Sequence, residues 1–96
     1  MNANNIIRRV ADIYGVPVEA VLSPCRRREL ADCRTVICFV LVQRCGLTKV
    51  QTARIIGRKH PNVIYHVAKG WDWLDDPRLN RQGHEAIKTM LTKKPP

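Results

Sequence analysis

Ninety-six residues, 45% of them apolar and only 5% aromatic, can build one small core but not two. The longest unbroken apolar run, Val36 to Val42, falls far short of the roughly 20 residues that a membrane helix needs, and the opening Met-Asn-Ala-Asn-Asn has no apolar signal core, so a cytoplasmic protein is expected. Seventeen Lys and Arg against eight Asp and Glu give a net charge of +9, concentrated between Ser23 and Lys69, where ten basic residues face only Glu29 and Asp32 for a net +8. That concentration points to a polyanionic partner.

A first helix is predicted from about Asn4 to Tyr14. Ile6, Ile7, Val10, Ala11 and Tyr14 share one face, Asn residues precede it as caps, and Gly15 stops it. A short helix from Pro17 to about Leu22 follows, with Pro17 in a first helical position and Ser23-Pro24 at its end. Cys25-Arg26-Arg27-Arg28 reads as a basic loop. The stretch Glu29 to Cys45 is rich in β-branched residues at its centre. About seventeen residues without Gly or Pro are too long for an ordinary strand, so a helix buried on most sides is expected, ending at Gly46.

Thr48 and Gln51 form a capping box that opens the next helix, which closes at Gly57. Val50, Ala53, Ile55 and Ile56 are its expected inner side. Another helix runs from His60-Pro61 to about Leu74, with Val63, Ile64, Val67 and Trp71 as the apolar face. The two helices and their Gly-containing turn read as a helix-turn-helix whose second member is the recognition helix. Asp76-Pro77 is expected to open a last helix reaching Thr92, with Leu79, Ala86, Ile87, Met90 and Leu91 inward and Gly83 weakening it by about 1 kcal/mol relative to Ala. The fold class is therefore all-α, a single domain over residues 1–96 with a disordered tail at 93–96.

Thr48 to Val67, TKVQTARIIGRKHPNVIYHV, resembles the signature of the C-terminal DNA-binding domain of the bacterial chromosomal replication initiator DnaA, a Trp-repressor-like helix-turn-helix. Gly57, Arg58, His60, Val63 and Ile64 match that pattern in order. VADIYGVPVEAVLS resembles the family's opening helices, Arg26 to Arg28 its basic loop, and Leu74 to Leu79 the Asp-Pro start of its last helix, so the likeness spans about Ile6 to Leu91. The departures are a missing Gly before Arg58, Lys59 in place of an acid, and Pro61 and Asn62 in place of hydroxyl residues. The initiator's ATPase portion and any Gly-x-x-x-x-Gly-Lys-Ser/Thr phosphate loop are absent from the sequence, so no nucleotide cofactor is expected.

The resemblance implies double-stranded DNA as the partner, with Lys59, His60, Pro61 and Asn62 where the recognition helix meets the major groove. Asn62 suits adenine N6 and N7, Lys59 can donate to guanine O6 and N7 or to a phosphate, and His60 can donate to an acceptor or pack on a thymine methyl. Arg26 falls at the family's minor-groove arginine, whose charge suits that groove's focused negative potential. Arg27, Arg28, Arg34, Thr48, Lys49, Arg54 and Arg58 are expected on phosphates, Thr48 through a helix N-terminus. The implied theme is origin recognition or control by a bacterial or phage-encoded, nucleoid-associated protein. A transcription regulator on the same scaffold and a protein-interaction module that has lost DNA are the alternatives.

The remaining features carry little chemistry. His60, His66 and His84 have no nucleophile, acid or second His at motif spacing, so neither catalysis nor a metal site is expected. Cys25, Cys33, Cys38 and Cys45 contain no Cys-x-x-Cys pair and read as small reduced hydrophobes. His66 is expected to be structural or phosphate-facing. Trp71 and Trp73 are two apart and cannot both face inward on one helix, which leaves one for a protein partner.

Overall fold

The computed structural model describes residues 2–92, and the tail expected to be disordered, 93–96, lies outside the described residues. Helix α1 spans Ala3–Tyr14, α2 Val18–Leu22, α3 Arg28–Gln43, α4 Lys49–Ile56, α5 His60–Asp75 and α6 Arg81–Thr92. Local signals account for most of these limits. The Asn2 side chain accepts from Asn5 N at 2.9 Å and caps α1. Gly15 takes φ 66° at its end, the left-handed conformation that glycine adopts without a Cβ penalty. The α4 capping box is formed in both directions, Gln51 N to Thr48 Oγ1 at 3.0 Å and Thr48 N to Gln51 Oε1 at 2.9 Å, and Gly57 closes the helix at φ 69°.

Helix α3 is the central post. Every residue from Cys33 to Leu41 is buried, and α1, α2, α4, α5 and α6 all pack on it. Ile6, Ile7 and Val10 of α1, Val63 and Val67 of α5, and Ile87 and Met90 of α6 complete one core. The buried Cys33 and Cys38 belong to it, while Cys25 and Cys45 are half-buried. Burial pushes the Cys33 and Cys38 thiols up to about 12, so both stay protonated and behave as small hydrophobes.

Several expectations are corrected by packing. Pro17 is the N-cap of α2 rather than its first residue, and Arg28 belongs to α3 rather than to the loop. Val50 and Ile55 face outward, because α4 is only eight residues long and its inner strip is filled by Thr52, Ala53 and Ile56, and Ile64 faces outward beside the buried Val63, His66 and Val67 of α5. The last helix begins at Arg81, not at Asp76-Pro77. Asp76 accepts from the Arg78 backbone in a turn, Asn80 Oδ1 accepts from Gly83 N at 2.8 Å, and Leu79 is left 60% exposed. Trp73 is in the core, whereas Trp71 remains about half-exposed with its ring edge-on to Phe39, centroids 5.0 Å apart.

Gly70 and Gly83 mark close approaches, of which sequence reading takes Gly83 only as a helix weakness and leaves Gly70 without a role. A Cβ on Gly70 would lie 2.5 Å from the Phe39 ring, and one on Gly83 would collide with the Trp73 ring. Alanine at either site gains about 1 kcal/mol of helix propensity but forces a rigid aromatic ring out of its seat, an overpacking cost of about 1–3 kcal/mol. Gly83→Ala should therefore lower the melting temperature, although the same change raises it in an exposed helix. A thermal melt checks the sign.

Candidate nucleic-acid interface

The basic loop 24–27 and the turn 57–59 face each other across an open cleft of about 620 Å³. Arg26, Arg58, Lys59, Asn62 and Tyr65 line it. Two segments far apart in sequence are thus joined into one cationic surface. Both ends of the loop are fixed by helices, α2 before it and α3 after it. The recognition helix α5 starts at the cleft with Lys59 as N-cap and Pro61 in its first turn. Pro61 lacks the N–H that would be unpaired there and has its φ already set. No side chain caps this start, so the positive end of the helix dipole adds to the charge of the cleft.

The expected contact residues fall into three groups. Arg26, Lys59, His60, Pro61 and Asn62 are exposed, and Arg26, Lys59 and Asn62 line the cleft together. Arg27, Arg28, Thr48 and Arg54 are exposed outside it, and Lys49 is half-buried at the start of α4. Arg27 pairs with Glu29 at 2.9 Å, an exposed contact that a phosphate can displace at little cost. That charge, after hydrogen bonding at the helix start, helps hold the Glu29 carboxyl below its ordinary pKa.

Arg34 and Arg58 donate to the protein's own main chain. Arg34 is only 4% exposed, and its guanidinium donates to main-chain carbonyls, Nε to Val21 O at 2.8 Å and Nη2 to Ser23 O at 2.8 Å and Ala20 O at 3.3 Å. The phosphate role expected for Arg34 is therefore corrected. Its charge and its forked donors complement the carbonyls at the C-terminal end of α2, where the helix leaves acceptors over. Burial first, and then the nearby Arg58 charge, pull its pKa below the usual arginine value. Arg58 is half-buried at the cleft, with Nη2 donating to the same Ser23 O at 2.5 Å.

His66 sits behind this surface. It is 9% exposed, and its Nδ1 lies 2.7 Å from Thr35 Oγ1 on α3, so of the two roles expected it has the structural one. Burial, reinforced by Lys69, Arg34 and Arg58, pulls its pKa from 6.5 to about 4. In the unfolded chain the ring takes its proton near pH 6.5, whereas in the fold it stays neutral until about pH 4. The stability that depends on neutral His66 is complete above pH 6.5 and is lost as pH falls from there toward 4. Denaturant unfolding at pH 7 and pH 5 should differ by about 2 kcal/mol from this residue, and His66→Gln should flatten that interval.

Tyr65 was missed by sequence reading. It is 58% exposed on the cleft wall, and Lys69 Nζ donates to its hydroxyl at 3.0 Å. The signal was available in the spacing, because Asn62, Tyr65 and Lys69 recur at three and four residues and share a helix face. Among the described residues, no helix is long and apolar enough to cross a membrane.

The family model described as bacterial dnaA protein helix-turn-helix matches residues 3–69. The matched region begins with α1 and ends at Lys69 within α5, so the likeness read at Leu74 to Leu79 and in the last helix lies beyond it. Among curated proteins there is no match. The match covers more than half of the sequence and includes both the basic loop and the paired helices that form the cleft. The chain belongs to the bacterial DnaA helix-turn-helix family, a family of DNA-binding domains.

Proposed function

We propose that this protein binds double-stranded DNA sequence-specifically and serves in replication-origin recognition or control. The observation that carries the reading is the cleft, where Arg26 from the loop and Lys59 and Asn62 from the recognition-helix start line one surface. Adjacent major and minor grooves are separated by a single sugar-phosphate strand, and a strand lying in this cleft would have Asn62 on one side and Arg26 on the other. Asn62, Lys59 and His60 then read major-groove edges, Arg26 the adjoining minor groove, and Pro61 contributes apolar contact. Arg27, Arg28, Lys49, Arg54 and Arg58 neutralise phosphates, and the Thr48 helix start offers them N–H donors. Tyr65 adds a phenol that can donate to the strand. The protein acts in the nucleoid without a nucleotide cofactor. A partner at Trp71 has no part in the reading, since that ring is already seated against Phe39. Transcription control would use the same surface, whereas a pure protein-interaction role leaves the cationic cleft unexplained.

Selection of bound duplexes from a random pool tests the proposal, and a site enriched above background is expected. Arg26→Ala should then weaken binding to that site by about 1–3 kcal/mol and relax preference at one A/T-rich flank. If Arg26→Ala binds all duplexes as the wild type does, the loop is only a solvated charge run. Lys59 cannot accept a hydrogen bond as the family's acid can. Standard initiator boxes should accordingly be preferred over scrambled duplexes by no more than about tenfold.

A further inference from the structure

We propose that Arg34 and Arg58 are positioning residues which tie the basic loop to the recognition-helix turn through the Ser23 carbonyl, and that this tie sets sequence discrimination. The inference rests on the DNA-binding reading above. Ser23 O accepts from Arg34 Nη2 on α3 and from Arg58 Nη2 on the 57–59 turn. The Ser23 side chain locks the same point, donating from Oγ to Ala20 O at 2.6 Å and accepting from Cys25 N at 3.3 Å. The loop therefore leaves a fixed atom at Ser23 and reaches α3 only at Arg28.

Arg34 alone would satisfy the carbonyls at the end of α2. The second guanidinium adds like charge beside the first, which folding alone does not require. What Arg58 supplies is a link, since it lies between the left-handed Gly57 and the Lys59 N-cap. Any shift of the turn must carry the start of the loop with it. Base reading by Arg26 and Asn62 on two sides of one strand needs their separation held closely, and a shared acceptor holds it without using either base-reading side chain.

Arg34→Lys and Arg58→Lys keep the charge but replace a planar fork by a single ammonium that cannot span the same carbonyls. The test compares binding to the duplex enriched by the wild type with binding to its scrambled counterpart, together with amide hydrogen exchange at Cys25 to Arg28. Each variant should lose about tenfold of the discrimination ratio, and the double variant little more, because both act at one atom. Loop amides should exchange faster. Arg34→Lys should bind the scrambled duplex within about twofold of the wild type, since its buried charge touches no phosphate. Loss of a phosphate contact at Arg58 would weaken both duplexes alike and leave the ratio unchanged. If Arg34→Lys does not fold, Arg58→Lys at the half-exposed turn decides. Folded variants with wild-type discrimination and exchange would overturn the inference and leave DNA binding standing, as would a wild type that binds duplex but enriches no site. A wild type that binds no duplex would overturn both.

Discussion

Arg34→Ala is expected to cost about 3–5 kcal/mol of stability, the largest effect of any single substitution at the surface described as DNA-facing. The substitution removes the Nε donor to Val21 O, takes one of the donors from each of Ala20 O and Ser23 O, and leaves a cavity beside α3. An unmade hydrogen bond to a buried carbonyl costs about 1–3 kcal/mol, which falls on Val21 O, and the weakened Ala20 and Ser23 carbonyls and the cavity add the rest. Since a domain of this size holds only about 5–15 kcal/mol in total, the melting temperature should drop by at least 12 °C or so. Arg54→Ala, on an exposed position of α4, should change stability by less than about 0.5 kcal/mol. Urea unfolding of the two variants tests the contrast. Equal stabilities would mean that Arg34 is an ordinary surface cation.

That contrast also shows what the sequence could not reveal. Arg34 and Arg54 look alike in a basic segment, and both read as phosphate ligands. The difference arises from tertiary structure, because α2 ends against α3 with its last carbonyls turned toward that helix, and only the folded chain shows which arginine reaches them. Residues whose roles depend on local signals were legible. The Asn and Thr caps, the stops at Gly15 and Gly57, an α3 buried on most sides and the helix-turn-helix all follow from neighbours in the chain. Even a strand-like run such as Val36 to Val42 was decided correctly by its length.

Orientation across elements was less accessible. Ile55 and Ile64 have apolar side chains at helical spacing, yet the short α4 and the start of α5 present them outward. Gly83 looks like a helix defect until Trp73 is seen to occupy the missing Cβ position, and nothing local to Gly70 announces that Phe39 does the same there. At the last helix two start signals, Asp76 and Asn80, compete four residues apart. Asn80 prevails over Asp76-Pro77 because its side chain both caps Gly83 N and donates to Asp32 at 3.2 Å, fastening the helix to α3. In the site, Arg26, Lys59, His60 and Asn62 were named from sequence, but only the fold shows that the first, second and fourth line one cleft. Tyr65 escaped because the recognition helix was followed along its apolar face and, on its polar side, only as far as Asn62.

The second large effect concerns salt. Five side chains, Arg27, Arg28, Lys49, Arg54 and Arg58, are proposed to displace counterions from the duplex. The logarithm of the association constant should fall with the logarithm of salt concentration at a slope of about −4 to −5. Between about 50 and 200 mM salt that amounts to a loss of roughly 250- to 1,000-fold in affinity. Removing one contributor should reduce the slope by about one unit, whereas Arg34→Lys should not change it.

Duplex binding measured across that salt range is the most direct test of the claim that the loop and the recognition-helix start form a DNA-binding surface. The account predicts a linear decline with the stated slope, made shallower when Arg27 and Arg28 are both replaced by alanine. A flat salt response, or no binding at the lowest salt concentration, would contradict it.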